Sequence, residues 1–368
     1  MNGRVLRFPG RAFSVDEGRE EAKRVLSIPR ADRYARRNEL RLDEPEIILA
    51  ICGALRPNLE TSPALVRDEA SFFFDYLSTP RRAIGLFDER EYFLGELALL
   101  AGTANRILAL REDSRRWLDR SEANFRLTVN AVADWSRVSY QRLAILLEER
   151  HFEILREQLP TLIESFENLE MPEDALKCRF LEGSVHLETG DLSLAAETYE
   201  AICREASRLG NDRLLASAYV NMVHVHGMAG HTSEALRYAH DAVPVLRRLD
   251  NKVELGKVNV AIGFALRAQG DTQRAVDAYR QAQRQFSELQ MLADVAALHL
   301  TIADLLLDLK QDGAALAEVL TALPLIDEYK LIPEGAAAMT LLRESARQQK
   351  ISHQALRDVH GFFEESVS

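Results

Sequence analysis

The chain has 368 residues, 47% of them hydrophobic and 28% charged, with a net charge of −11. That composition is globular rather than disordered, the acidic balance argues against general nucleic-acid binding, and no stretch approaches the 18 apolar residues of a membrane-spanning helix. Cys52, Cys178 and Cys203 are unclustered and suit buried thiols in a reducing compartment, not a disulfide framework.

Residues 1–14 are expected to form an extended arm, because Phe8-Pro9-Gly10 is turn chemistry and no period is visible. The arm carries Arg4, Arg7 and Arg11 but no apolar run of signal-peptide length, so a cytoplasmic location is expected. Helical signals begin at Ser14, followed by Asp16 and Glu17 near the positive end of the helix dipole. Pro29 breaks that helix, and Asp32–Leu40 predicts a second. Pro45 fits the first turn of a third, whose run Ile47–Cys52 is expected to be buried. Thr61-Ser62-Pro63 caps a fourth helix with Leu65, Val66, Phe72, Phe73, Phe74 and Tyr76, and Thr79-Pro80 closes the region. Residues 15–86 therefore read as a helical N-terminal domain, or as an irregular start to the helical array that follows.

The first 41 residues hold eleven Arg/Lys against six Asp/Glu. This basic start could mark a nucleic-acid contact, or the solvated face of helices packed on an acidic neighbour. A DNA-binding helix-turn-helix needs a tight turn and a polar recognition helix. Here the link Arg56–Ser62 is long and the next helix is acidic and aromatic, so nucleic acid is not the expected partner. The aromatic cluster lacks interleaved basic residues and is expected in a core.

From Asp88 the chain is paired helices: Phe93–Leu110 with Arg111–Phe125, then Val132–Glu149 with His151–Leu169. Units of 40 residues then begin at Met171, Asn211, Asn251, Met291 and Leu331. The first three carry midpoint turns at Gly190, Gly230 and Gly270. Leu331–Gln348 has no full partner, and His353–Glu365 reads as a capping helix over the last face. The expected layout is a solenoid over 87–350 with a capping helix and tail over 351–368.

Within the units, small residues recur in the first helix at Gly102, Gly183, Gly263 and Ala303, with Leu143 and Val223 as larger exceptions. Alanines recur in the second helix at Ala195, Ala235, Ala275 and Ala315, with Tyr199 and Tyr279 four residues after two of them. This pattern resembles the tetratricopeptide repeat family. A generic helical bundle would have no reason to keep a fixed period. The unit is longer than the family's usual 34 residues, and the six extra residues amount to nearly two helical turns. In this it is similar to the long-helix repeats of kinesin light chains and bacterial peptide-sensing regulators. The resemblance implies an all-α, right-handed superhelical solenoid that binds a protein or peptide in its concave groove, as a scaffold or adaptor.

In that family the first helices line the groove, so its lining can be projected by counting from each small residue. Three before it stand Tyr140, Phe180, Val220, Val260 and Leu300, an apolar ladder. Six before it stand Arg137, Lys177, Ser217, Lys257 and Ala297, a broken basic ladder. One after it are Ala144, Ser184, His224, Phe264 and Asp304, and four after it Leu147, Leu187, Gly227, Arg267 and Leu307. Of the family's Lys/Asn clamp for a terminal carboxylate, Lys177, Asn221 and Lys257 are an echo. Arg137, Tyr140, Lys177, Phe180, Asn221, His224, Lys257, Phe264 and Arg267 are therefore the candidate groove residues. They would suit a protein or peptide with apolar anchors and some acidic residues. The ladder could instead pack within the superhelix.

A second function remains open: a peptide-sensing regulator whose N-terminal helices act on DNA or an effector. His224 and His226 point to different helix faces, so a metal is not expected there, and no cofactor is implied. Trp117 and Trp135 are expected in the core. No nucleophile elbow, phosphate loop or zinc-protease motif is present, and an enzyme is not expected.

Overall fold

The computed structural model describes residues 15–42, 44–59, 61–79, 90–129, 131–329 and 333–367; the expected arm at 1–14 and the closure after Thr79 lie outside them. Every regular element among the described residues is a helix. The chain divides into two compact units, one made of residues up to Asn105 with Glu112–Val138, the other of Arg106–Arg111 with Ser139 onward.

In the first unit, α1 (Val15–Ser27), α2 (Arg30–Arg33), α3 (Pro45–Leu55) and α4 (Pro63–Ser78) precede α5 (Arg90–Ile107) and α6 (Arg111–Phe125). The helix expected over Asp32–Leu40 is shorter and earlier than its pattern suggested, ending at Arg33. Arg33 explains this local winding. It is buried, donates to the carbonyls of Leu26 and Ile28, and pairs with buried Glu69 on α4. The aromatics of α4 pack edge to face with one another and with Trp117 (Phe74–Trp117 centroids 5.1 Å), as a core does. Trp135 departs from expectation and is 41% exposed.

Where α5 meets α6, Gly95 and Gly102 expose bare backbone. Ser121 Oγ donates to the Gly95 carbonyl and Ser114 Oγ to that of Gly102, each at 2.8 Å. The same unit buries Glu96, which accepts from both Arg56 and Arg137. Burial pushes that carboxyl up, but the charges of Arg137 and Arg56 outweigh it and hold it below the usual carboxylate range.

The second unit takes up the 40-residue period. It contains the end of α7 (Val132–Glu148), then α8 (Phe152–Asn168), α9 (Pro172–Glu188), α10 (Leu192–Arg208), α11 (Asp212–Met228), α12 (Thr232–Arg248), α13 (Lys252–Ala268), α14 (Thr272–Glu288), α15 (Leu292–Asp308) and α16 (Asp312–Ile326). Each helix from α7 to α15 spans 17 residues. The turn that follows each of them places one residue at positive φ: Arg150, Glu170, Gly190, Gly210, Gly230, Asp250, Gly270, Gln290 and Lys310. At Gly190 the cap is fully drawn. Gly190 N donates to Leu187 O, and Asp191 N reaches back to His186 O at 2.8 Å, satisfying carbonyls the helix end would leave bare.

Second helices bury one stripe each, at the same four positions: Leu155, Leu159, Leu162 and Phe166 in α8; Ala195, Tyr199, Ile202 and Ala206 in α10; Ala235, Ala239, Ala242 and Leu246 in α12. The 3.6-residue period makes that a single face. First helices are sandwiched and bury more of their circumference: α11 hides Ala216, Ala218, Val220, Met222, Val223 and Val225. The small first-helix residues sit under the second-helix aromatics. A Cβ added to Gly183 would lie 2.9 Å from the Tyr199 ring, and one on Gly263 would lie 2.8 Å from that of Tyr279.

Of the two exceptions, Val223 inverts the rule, and Leu143 meets a leucine where the tyrosines stand. Val223 shares its cluster with Ala239, the residue standing where the tyrosines stand. Leu143 shares its own with Leu159. Volume is exchanged across each helix pair so that the pair fills its space. The chain ends with α17 (Pro333–Arg347) and α18 (His353–Val367), which pack together, and α18 also packs on α15.

Candidate functional site

First helices present residues from widely separated repeats to a common inner face. Tyr140 of α7 feels the charges of Arg106, Lys177 and Lys257, the last contributed three repeats further along. Lys257 in turn feels Arg106 and Asp294, and Asp294 feels Glu148 and Arg111. Tyr140 and Lys257, three repeats apart in the chain, are thus near enough for the lysine's charge to act on the phenol. Lys177 and Lys257 keep 41% and 53% of their side-chain surface in contact with water. Burial nevertheless pushes His224 down to about 4 and Asp294 up to about 6.

Four of the projected residues, Tyr140, Lys177, His224 and Lys257, are brought together in this way. Phe264 is 39% exposed, beside the bare backbone of Gly227 from the preceding repeat. Asn221 is half-buried on α11. Phe180 turns its ring toward Tyr199, with centroids 5.9 Å apart, and packs on the core between its own helices. Arg267 Nη2 donates to Asp304 Oδ2 at 2.6 Å. Arg137 belongs to the first unit and is engaged there with Glu96. The apolar ladder is uneven: Tyr140, Phe180 and Val260 are half-buried, but Val220 and Leu300 are 2% and 1% exposed.

A further ladder of acids lies nine residues before the small residue, at Asp134, Asp174, Glu254 and Asp294. Three of these acids bind the cation one turn on: Asp134 with Arg137 at 3.4 Å, Asp174 with Lys177 at 2.8 Å, and Glu254 with Lys257 at 2.8 Å. In the fourth repeat the cation's place is taken by Ala297, and Asp294 has burial without that partner. The sequence held this signal, since each pair is spaced i, i+3 on a helix. Counting the register four after the small residue one repeat further back would also have found Arg106, which donates to Glu148 at 2.6 Å and to Gln141 at 3.0 Å.

His226 stacks on Tyr238, with centroids 5.3 Å apart and planes 13° apart, so the histidine pair is divided between an inner-face residue and a packed one. Among the described residues no group of three or more His, Cys, Asp or Glu is placed to hold a metal ion. Of the cations at the basic start, Arg24, Arg30, Arg36 and Arg41 are each paired with an acid. No helix among the described residues is long and apolar enough to cross a membrane.

Two comparisons bear on this arrangement. Residues 188–319 match the family model described as soluble NSF attachment protein, SNAP. A solved Rap protein, complexed with competence and sporulation factor, superposes with a TM-score of 0.58 at 12% identity, over 96% of this chain and 99% of that one. The chain is a TPR-like helical-repeat protein. Among curated proteins none matches its sequence.

Proposed function

We propose that this TPR-like protein is a binding scaffold whose inner groove holds a protein or peptide with apolar anchors and acidic residues. The observation that carries the reading is the meeting of Tyr140, Lys177, His224 and Lys257, drawn from four repeats, on one hemmed-in but reachable face. The ion pairs of the two lysines are with acids one turn back on their own helices, and such i, i+3 pairs contribute about 0.5 kcal/mol or less, so a ligand acid displaces them at small cost. The neutral His224 imidazole, the half-buried Tyr140 and Val260 and the exposed Phe264 supply apolar surface between the charges. The fold's ability to hold a partner is supported by the Rap protein solved with competence and sporulation factor bound.

The scaffold works by binding, without a reaction of its own, in the cytoplasm. There its unbridged cysteines stay reduced; burial raises the thiols of Cys52 and Cys178 to about 12, which keeps them unreactive. The test is selection of binders from a random peptide display on the intact chain, followed by photo-cross-linking. Cross-links to α9, α11 and α13 support the groove. Cross-links confined to the outer faces of α10, α12 and α14 reject it.

A further inference from the structure

The far end of the inner face is not left open. α18 lies against α15, where Leu300 and Asp304, two of the projected groove positions, are covered by it. A cavity of about 260 Å³ remains between them. Leu300 and Leu356 line it with apolar surface, and Arg267, Arg357, His360, Thr301 and Asp304 with polar groups.

The charges in this cavity are layered. Asp304 lies at the bottom, its side chain 6% exposed, and both its oxygens are committed. Oδ2 accepts from Arg267 at 2.6 Å, while Oδ1 accepts from His353 Nδ1 at 2.6 Å and lies 3.8 Å from Arg357 Nε. The two guanidiniums above it are 40% and 64% exposed. Each guanidinium has five N–H donors, and one buried carboxylate shared between two of them cannot occupy them all. His360 adds a ring nitrogen 3.3 Å from Thr301 Oγ1 at the same rim. Here two guanidiniums stand beside one buried acid, with Asp308 3.6 Å from His353 and Glu364 3.7 Å from His360 further out.

We propose that this cavity is a carboxylate subsite: Arg267 and Arg357 take a carboxylate of the bound ligand, from a chain terminus or an acidic side chain, and Leu300 and Leu356 take the apolar group beside it. The proposal rests on the reading of the inner face as a ligand groove, and it adds that the C-terminal helix is one wall of the site. A ligand carboxylate then ties Arg357 of α18 to Arg267 of α13, so binding and the seating of the C-terminal helix reinforce each other.

Small carboxylates test the cavity alone, in the full chain. The probes are N-acetyl-leucine, N-acetyl-leucinamide and N-acetyl-glutamic acid α-amide, titrated to roughly 50 mM, beyond the millimolar Kd expected of fragments. The readout is the Nε–Hε signals of Arg267 and Arg357 in arginine-labelled protein. Saturable shifts with N-acetyl-leucine and none with its amide support the subsite and a terminal carboxylate. Shifts with the glutamic acid derivative support it with a side-chain source. R357Q, whose side chain is largely exposed, should retain the wild-type helical melting curve and weaken the acid about tenfold, the usual effect of losing a charge-assisted hydrogen bond. Equal shifts from acid and amide, no shift from any acid, or undiminished binding to R357Q would overturn the proposal. Because Lys177 and Lys257 lie outside the cavity, a failure here leaves the groove itself standing, whereas peptides that ignore those lysines would remove the groove.

Discussion

Tyr279 lies so close over the bare Cα of Gly263 that a Cβ there would come within 2.8 Å of its ring. The same relation holds between Gly183 and Tyr199 two repeats earlier, and Val223 with Ala239 is its inverse. G263V should therefore destabilise the chain by about 1–3 kcal/mol through overpacking. The double variant G263V/Y279A copies the Val223–Ala239 pairing and should recover part of that loss. Urea denaturation of the three proteins checks this, and a double variant no more stable than G263V would contradict exchange of volume across the pair.

Glu96 anchors two arginines in the first unit. Replacing it with glutamine removes the charge partner of Arg56 and the closer of Arg137's two acids, leaving Arg137 with Asp134 at 3.4 Å. Both arginines keep contact with water, so the loss should be about 1–3 kcal/mol, at or below the low end for a wholly buried pair. The sign with pH follows from the direction of the shift. Because the folded carboxyl lies below the usual carboxylate range, its contribution is present above that range and is lost as pH falls through the depressed value. The stability gap between wild type and E96Q should be constant from pH 8 to pH 5 and close only in strong acid.

Asp294 runs the other way. Its carboxyl is raised by burial to about 6, with Lys257 partly offsetting it, so the unfolded chain releases this proton first as pH rises. The favourable contribution is complete below the unfolded value near 3.8 and is lost as pH rises toward 6. D294N should be more stable than wild type at pH 8 and indistinguishable from it at pH 4, by chemical denaturation. An equal gap at both values would show that Asp294 is not held in a desolvated groove wall.

The repeat was legible because each unit imposes the same demand on the next. Ala195, Ala235, Ala275 and Ala315 recur because a second helix can approach only over a small residue, and all four are fully buried. Even Val223, an exception in the pattern, is explained once Ala239 is placed opposite it. Less was legible about the groove. Counting places Leu300 on the inner face but cannot foresee that α18 will return to cover it, since that docking depends on residues more than fifty positions away. Arg137 shares its register with Lys177 and Lys257, yet a buried acid on another helix of its own unit claims it. The arrangement around Asp304 was invisible for the same reason: His353 and Arg267 reach it from different helices, and no local spacing encodes that meeting.

The central claim is that the inner face is the binding surface, and charge reversal within it is the most direct test. The probe is the peptide most enriched from a random display on the intact chain, its affinity measured by titration calorimetry against wild type and the double variant K177E/K257E. Both side chains are substantially exposed and their ion pairs run along their own helices, so the fold should tolerate the change. The account predicts a loss of at least about tenfold for a peptide carrying acidic residues, with the salt dependence of binding reduced. An unchanged affinity in a folded double variant would contradict it.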